Sequence, residues 1–180
     1  MKKILTFSWE VLKIAIVASL IVIPIRYFLF QPFFVKGQSM EPNFENGDYL
    51  IVDELSYRFR EPQRGEVVVF KYPEDPSQRF IKRIIGLPGE RVEIGNGEIK
   101  VYDEGESLVL DESGYLENIE TLGSLIINLG EEEYFVLGDN RLFSYDSRRF
   151  GPLPEDNIIG RVLLRAWPFA SAAKIEIPTY

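Results

Sequence analysis

The chain has 180 residues, enough for one well-packed domain, and 46% of them are hydrophobic, which excludes a disordered polymer. A net charge of −8 argues against nucleic acid as a partner, since no basic surplus is present to neutralise phosphates. There is no cysteine and no histidine, so disulfides, thiol nucleophiles, imidazole metal sites and every Ser-His-Asp arrangement are excluded, and proton transfer must run on Lys, Asp, Glu or Tyr.

The first predicted element is a membrane helix. An uncharged apolar run, Ile14 to Ile25, lies between Lys13 and Arg26. Extended from Val11 to Phe30, with the two flanking cations snorkelling, it provides roughly 20 residues, about 30 Å of helix. Trp9 and Tyr27 stand near its ends, as aromatics do in headgroup regions. Lys2 and Lys3 precede the run, so the positive-inside rule predicts residues 1–10 in the cytoplasm and residues 31–180 as an extracytoplasmic domain. A cleaved signal peptide would show small residues soon after the run. Bulky Tyr27-Phe28-Leu29-Phe30 and Phe33-Phe34 stand there instead.

Next comes Gly37-Gln38-Ser39-Met40-Glu41-Pro42, in which glycine permits a tight turn and proline restricts the chain after it. Such a loop could expose Ser39, although Gly-x-Ser is more often only a turn. Strands are expected at Tyr49–Val52, Glu66–Lys71, Phe80–Ile85, Arg91–Ile94 and Ile99–Tyr102, with Gly95-Asn96-Gly97 as a hairpin turn between the last two. Alternation along Phe80–Ile85 puts Lys82 on one face with Phe80 and Ile84, and Arg83 on the other with Ile81 and Ile85. By pattern alone Lys82 more often snorkels to water from an edge strand, but burial would give it a use. A free lysine is neutral only about one part in a thousand near neutral pH, and desolvation lowers its pKa. Arginine stays protonated, so of these two cations only Lys82 can be a base.

From Val101 to Glu133 there are ten acidic residues and no basic one, and no EF-hand spacing; this reads as a solvated cap, within an insertion of about 95–134. Further strands are expected at Ser124–Leu129, Tyr134–Leu137 and Ile158–Trp167. The segment from Gly138 to Arg148 is dense in turn formers and opposite charges, and reads as a loop locked by its own hydrogen bonds. With no second long helix in the pattern, the fold class is mainly β: an N-terminal membrane helix, then a β-rich core with a small β cap.

These clusters, in this order behind one span, resemble the bacterial type I signal peptidases. The resemblance rests on Gly37 to Pro42, on Gly47-Asp48-Tyr49-Leu50-Ile51-Val52, and on Arg64 to Phe70 followed by Lys82 to Gly89. It ends with Gly138-Asp139-Asn140-Arg141 and Ser144-x-Asp146-Ser147-Arg148. It implies Ser39 as nucleophile, Lys82 as general base and Ser144 as the hydroxyl that orients the lysine. It also implies that Asp146 and Arg148 support the loop, with Gly37 and Met40 beside the nucleophile. No cofactor or metal is implied. The implied partners are exported preproteins, cut after small residues at −1 and −3, and the lipid bilayer of the plasma membrane. Asn43 stands where the family commonly has Thr, and is expected to close an Asx-type turn. The residues by themselves leave open a non-catalytic tethered β domain, and within the resemblance an organellar inner-membrane peptidase.

Overall fold

The computed structural model describes residues 2–28, 30–117 and 119–180; of residues 2–6, 21–28, 30 and 31 it describes the backbone alone. Helix α1 (Lys2–Phe28) leads into strand β1 (Phe30–Phe34). Over residues 7–20 every helical side chain is exposed, so α1 packs no face on the domain there. Among the described residues no helix is long and apolar enough to cross a membrane. The expected span from Val11 to Phe30 overshoots: α1 ends at Phe28, Leu29 is not described, nor are the side chains of 21–31, and Phe30 already pairs with Asp53 in β1.

The rest is antiparallel sheet. β2 (Tyr49–Asp53), β3 (Val67–Tyr72), β4 (Asp75–Gly86), β9 (Glu133–Leu137), β10 (Leu153–Pro154) and β11 (Ile158–Trp167) join β1 in the order β1-β2-β11-β3-β4-β9-β10, and β12 (Ala173–Lys174) pairs with β11. Between β4 and β9 the chain departs to build a second sheet, β7-β6-β5-β8, from β5 (Arg91–Gly95), β6 (Glu98–Asp103), β7 (Glu106–Val109) and β8 (Leu125–Asn128). The β5–β6 hairpin turns at Asn96 and Gly97, both with positive φ, as the sequence predicts.

The uninterrupted Val67-Val68-Val69-Phe70 reflects burial on both faces of β3. Val67 and Val69 join Val35, Met40, Phe44, Leu50, Val52 and Val162 under the Ser39 loop. Val68 and Phe70 pack with Ile84, Tyr134, Val136 and Leu153 on the other side. A third cluster, including Ile85, Val92, Ile99 and Phe135, joins the second sheet to the first.

β1 and β4 are four places apart in the sheet order, yet the Arg79 guanidinium of β4 lies 5.4 Å over the Phe33 ring of β1. The main sheet therefore curls until these strands face one another. A cleft of about 1000 Å³ runs between them, and Ser39 and Lys82 both line it. β9 pairs with β4 only from Arg83 onward, so the preceding residues of β4 keep one backbone edge unpaired by β9.

Candidate active site

Ser39 is presented by a loop fixed at both ends. Gly37, at φ +91°, occupies a conformation that L side chains resist, and its N–H donates to Asn46 Oδ1 (3.0 Å). Met40 is 1% exposed and anchors the other side of Ser39 in the core. From the far loop, Asn140 donates its N–H to the Ser39 carbonyl (3.1 Å) and its side-chain amide to the Gln38 carbonyl (3.0 Å). A Cβ at Gly138 would collide with the Ser39 carbonyl oxygen and with Ser144 Oγ, so this close approach of two loops requires glycine.

Lys82 comes from the middle of the cleft wall. Its Nζ lies 2.7 Å from Ser39 Oγ and 2.8 Å from the Ile81 carbonyl oxygen, and 5.6 Å from the centre of the Phe80 ring. The residue is 3% exposed and makes no ion pair among the described residues. Burial is the strongest influence on its acidity and lowers the pKa to about 8; the charges of Asp146 and Asp139 act in the opposite sense. About a fifth of such a lysine is neutral near pH 7.4.

The loop from Gly138 to Arg148 is locked mainly by side chains. Arg148 binds both Asp146 oxygens at 2.8 Å and donates to the Arg141 carbonyl (2.8 Å). The Gly138 N–H donates to Asp146 Oδ2 (3.1 Å). Burial alone would raise the Asp146 carboxyl, but the hydrogen bonds and charge of Arg148 outweigh it and hold the group below its ordinary value. Ser144 Oγ is buried against this carboxylate, yet has no hydrogen-bond partner of full geometry among the described residues.

Three contributions escape sequence reasoning. Arg83 forms a buried bidentate pair with Asp139 (Nε–Oδ1 2.9 Å, Nη2–Oδ2 2.7 Å), tying β4 to the same loop from behind. Asn43 donates from its single amide to both Asp139 Oδ2 and the Tyr115 carbonyl, each at 2.9 Å, rather than bonding within its own turn. The expected Asx turn is therefore replaced by a bridge between the nucleophile loop, the far loop and the cap. A threonine hydroxyl has one proton and could reach only one of these acceptors. Finally, Glu112 of the acidic stretch holds buried Arg141 at 2.6 and 2.7 Å. Arg141 in turn donates to the Gly138 carbonyl (2.9 Å). One acid of that stretch thus has a structural task, which charge density alone could not single out.

Residues 8–167 match the family model described as "Signal peptidase, peptidase S26". A probable signal peptidase I-1 of Synechocystis is 37% identical over 169 residues, covering 90% of this chain and 84% of that one. A signal peptidase I of Leptolyngbya laminosa is 37% identical over 161 residues, covering 86% and 77%. A crystal structure of a signal peptidase I from Enterococcus faecalis is 34% identical, covers 57% of this chain and 97% of that one, and aligns with a TM-score of 0.47.

Proposed function

This chain belongs to the peptidase S26 family of signal peptidases, and on that footing we propose that it removes signal peptides from exported preproteins through Ser39 as nucleophile and Lys82 as base. It is a serine endopeptidase. The observation that carries the assignment is the 2.7 Å approach of a buried lysine, free of any carboxylate partner among the described residues, to the Ser39 hydroxyl. With no histidine in the chain, no imidazole competes for the role.

Neutral Lys82 takes the Ser39 proton as Oγ attacks the scissile carbonyl. The protonated lysine then hands that proton to the leaving amine. A water activated by Lys82 hydrolyses the acyl-enzyme. The Ser39 N–H donates to no acceptor among the described residues and is available to the developing oxyanion. The Ser144 hydroxyl, buried near Asp146, makes no hydrogen bond to Lys82 among the described residues; its proposed part is to orient the lysine as the proton leaves. The unpaired edge of β4 can take an extended peptide by main-chain bonding, and Leu50, Val69 and Ile81 give the cleft an apolar floor. That floor suits small side chains at −1 and −3, the preference the family resemblance implies. None of these steps needs a cofactor or metal.

We further propose that α1 crosses the plasma membrane with the N-terminus in the cytoplasm and the catalytic domain on the outer face. Support comes from the uncharged run Ile14–Ile25, from Lys2 and Lys3, and from exposed Ile14, Ile16, Val17 and Leu20, which water would solvate poorly. Phe34, 65% exposed, points to lipid contact close to the cleft, whereas Phe33 packs toward the core under Arg79.

The test is cleavage of a preprotein by the full-length protein in detergent. The wild type should process it at the signal-peptide junction. Ser39→Ala and Lys82→Ala should each lose at least about 10³-fold, and the double variant little more, because the pair acts as a unit. Substantial turnover by either single variant would remove the assignment.

A further inference from the structure

The cleft carries charge of one sign. In a chain of net charge −8, the charged residues lining it are Lys36, Lys71, Arg79 and Lys82, and among the described residues no Asp or Glu joins them. Lys36, Lys71 and Arg79 are exposed, and none forms an ion pair among the described residues. Lys71 and Arg79 are direct cross-strand partners in the β3–β4 pairing, so two like charges stand opposite each other and repel. The nearby acids do not resolve this. Asp75 is held at the hairpin tip by Ser77 and Gln78, and Glu74 by the Tyr72 hydroxyl. Glu54 feels the charge of Arg79 but lies outside the cleft lining and forms no ion pair with it.

Arg79 precedes Lys82 by three residues on an extended strand, about 10 Å. A peptide laid along the unpaired edge of β4, with its scissile carbonyl at Ser39, carries a side chain past Arg79 and Lys71 about three residues from the bond cut. Resting on the proteolytic reading above, we propose that Lys71 and Arg79, with Lys36 across the cleft, form a carboxylate-binding subsite selecting substrates with Asp or Glu at that distance. The occupant is a peptide carboxylate rather than a lipid phosphate, because the cations line the same cleft as Ser39 and Arg79 lies on the strand that presents Lys82.

The experiment uses the full-length protein in uncharged detergent and peptides with Ala at −1 and −3. Glu is compared with Gln at −2 and −4 and at +1 to +4, with Ala kept at −1 and −3. At one position kcat/KM should favour Glu about five-fold at low salt, and the ratio should fall toward one at about 0.5 M salt. Lys71→Gln with Arg79→Gln should abolish the preference, and Arg79→Glu should reverse it toward a Lys-bearing peptide. Because the readout is a ratio within each variant, loss of folded protein cannot imitate it. A ratio near one at every position, or a Glu preference that survives removal of both cations, would overturn the subsite. So would activation by phosphatidylglycerol vesicles that depends on these cations while peptides show no preference. Binding of the same peptides to Ser39→Ala by fluorescence anisotropy separates the two readings. Tighter binding of the Glu peptide through Arg79, with no cleavage by wild type, would sink the peptidase reading and keep the subsite.

Discussion

Lys82 and Arg83 are neighbours on β4, each 3% exposed, yet the two faces of the strand treat them in opposite ways. Arg83 meets a buried carboxylate in bidentate geometry and also donates to the Gly65 carbonyl. Among the described residues Lys82 finds as polar partners only a hydroxyl and a carbonyl oxygen. The fully paired cation is fixed in charge and serves as a strut between the strand and the far loop. The underpaired one is destabilised as an ammonium, which is what makes a usable base. What separates scaffold from chemistry on this strand is the presence of a counter-ion, since burial is shared.

The comparison can be broken most severely from the Arg83 side. Asp139→Ala would strand a buried guanidinium and remove an acceptor of Asn43, and should cost about 3–5 kcal/mol in urea unfolding. Arg83→Met combined with Asp139→Leu should recover much of that loss. A cost below about 1 kcal/mol for Asp139→Ala would mean that the pair is not the strut described here.

On the Lys82 side the sign is reversed. The folded-state pKa of about 8 lies below that of a free lysine, so at neutral pH the unfolded chain binds this proton more tightly and the site lowers stability. The penalty is present below about pH 8 and fades as pH rises toward the unfolded value near 10.4. Lys82→Met should therefore be inactive yet more stable at pH 7 by about 1–2 kcal/mol, with the gain shrinking above pH 8. Equal or lower stability of this variant at pH 7 would deny that the lysine is strained by burial.

The smallest effect concerns the cap. Asn43→Thr removes one of two donor bonds and should cost about 1 kcal/mol, read as a lowered urea midpoint. Proteolytic nicking near Tyr115 should increase in parallel if that bond holds the cap loop down. An unchanged midpoint and cleavage rate would make the bridge incidental.

Much of this is legible in the sequence. Runs of β-branched residues bounded by Gly and Pro locate β2, β3, β5, β6, β9 and β11 within a residue or two at most ends, and alternation puts Lys82 and Arg83 on opposite faces. What stayed hidden depends on partners distant in the chain. Asp139 lies 56 residues from Arg83, and Tyr115 lies 72 residues from Asn43, so local pattern could not pair them. β7 escapes the pattern because Glu106–Val109 is exposed throughout and shows no apolar alternation. The first part of β4, from Asp75 to Arg79, escapes it too, because Pro76 and a polar run read as loop.

The central claim is that Lys82, its pKa lowered by burial without a counter-ion among the described residues, activates Ser39 in its neutral form. Its most direct measurement is the pH dependence of kcat/KM on a short peptide with Ala at −1 and −3, from pH 6 to 10. The account predicts a rising limb with an apparent pKa of about 8, and no activity at any pH in Lys82→Arg, which cannot release its proton. A flat profile, or the same limb in Lys82→Arg, would contradict it.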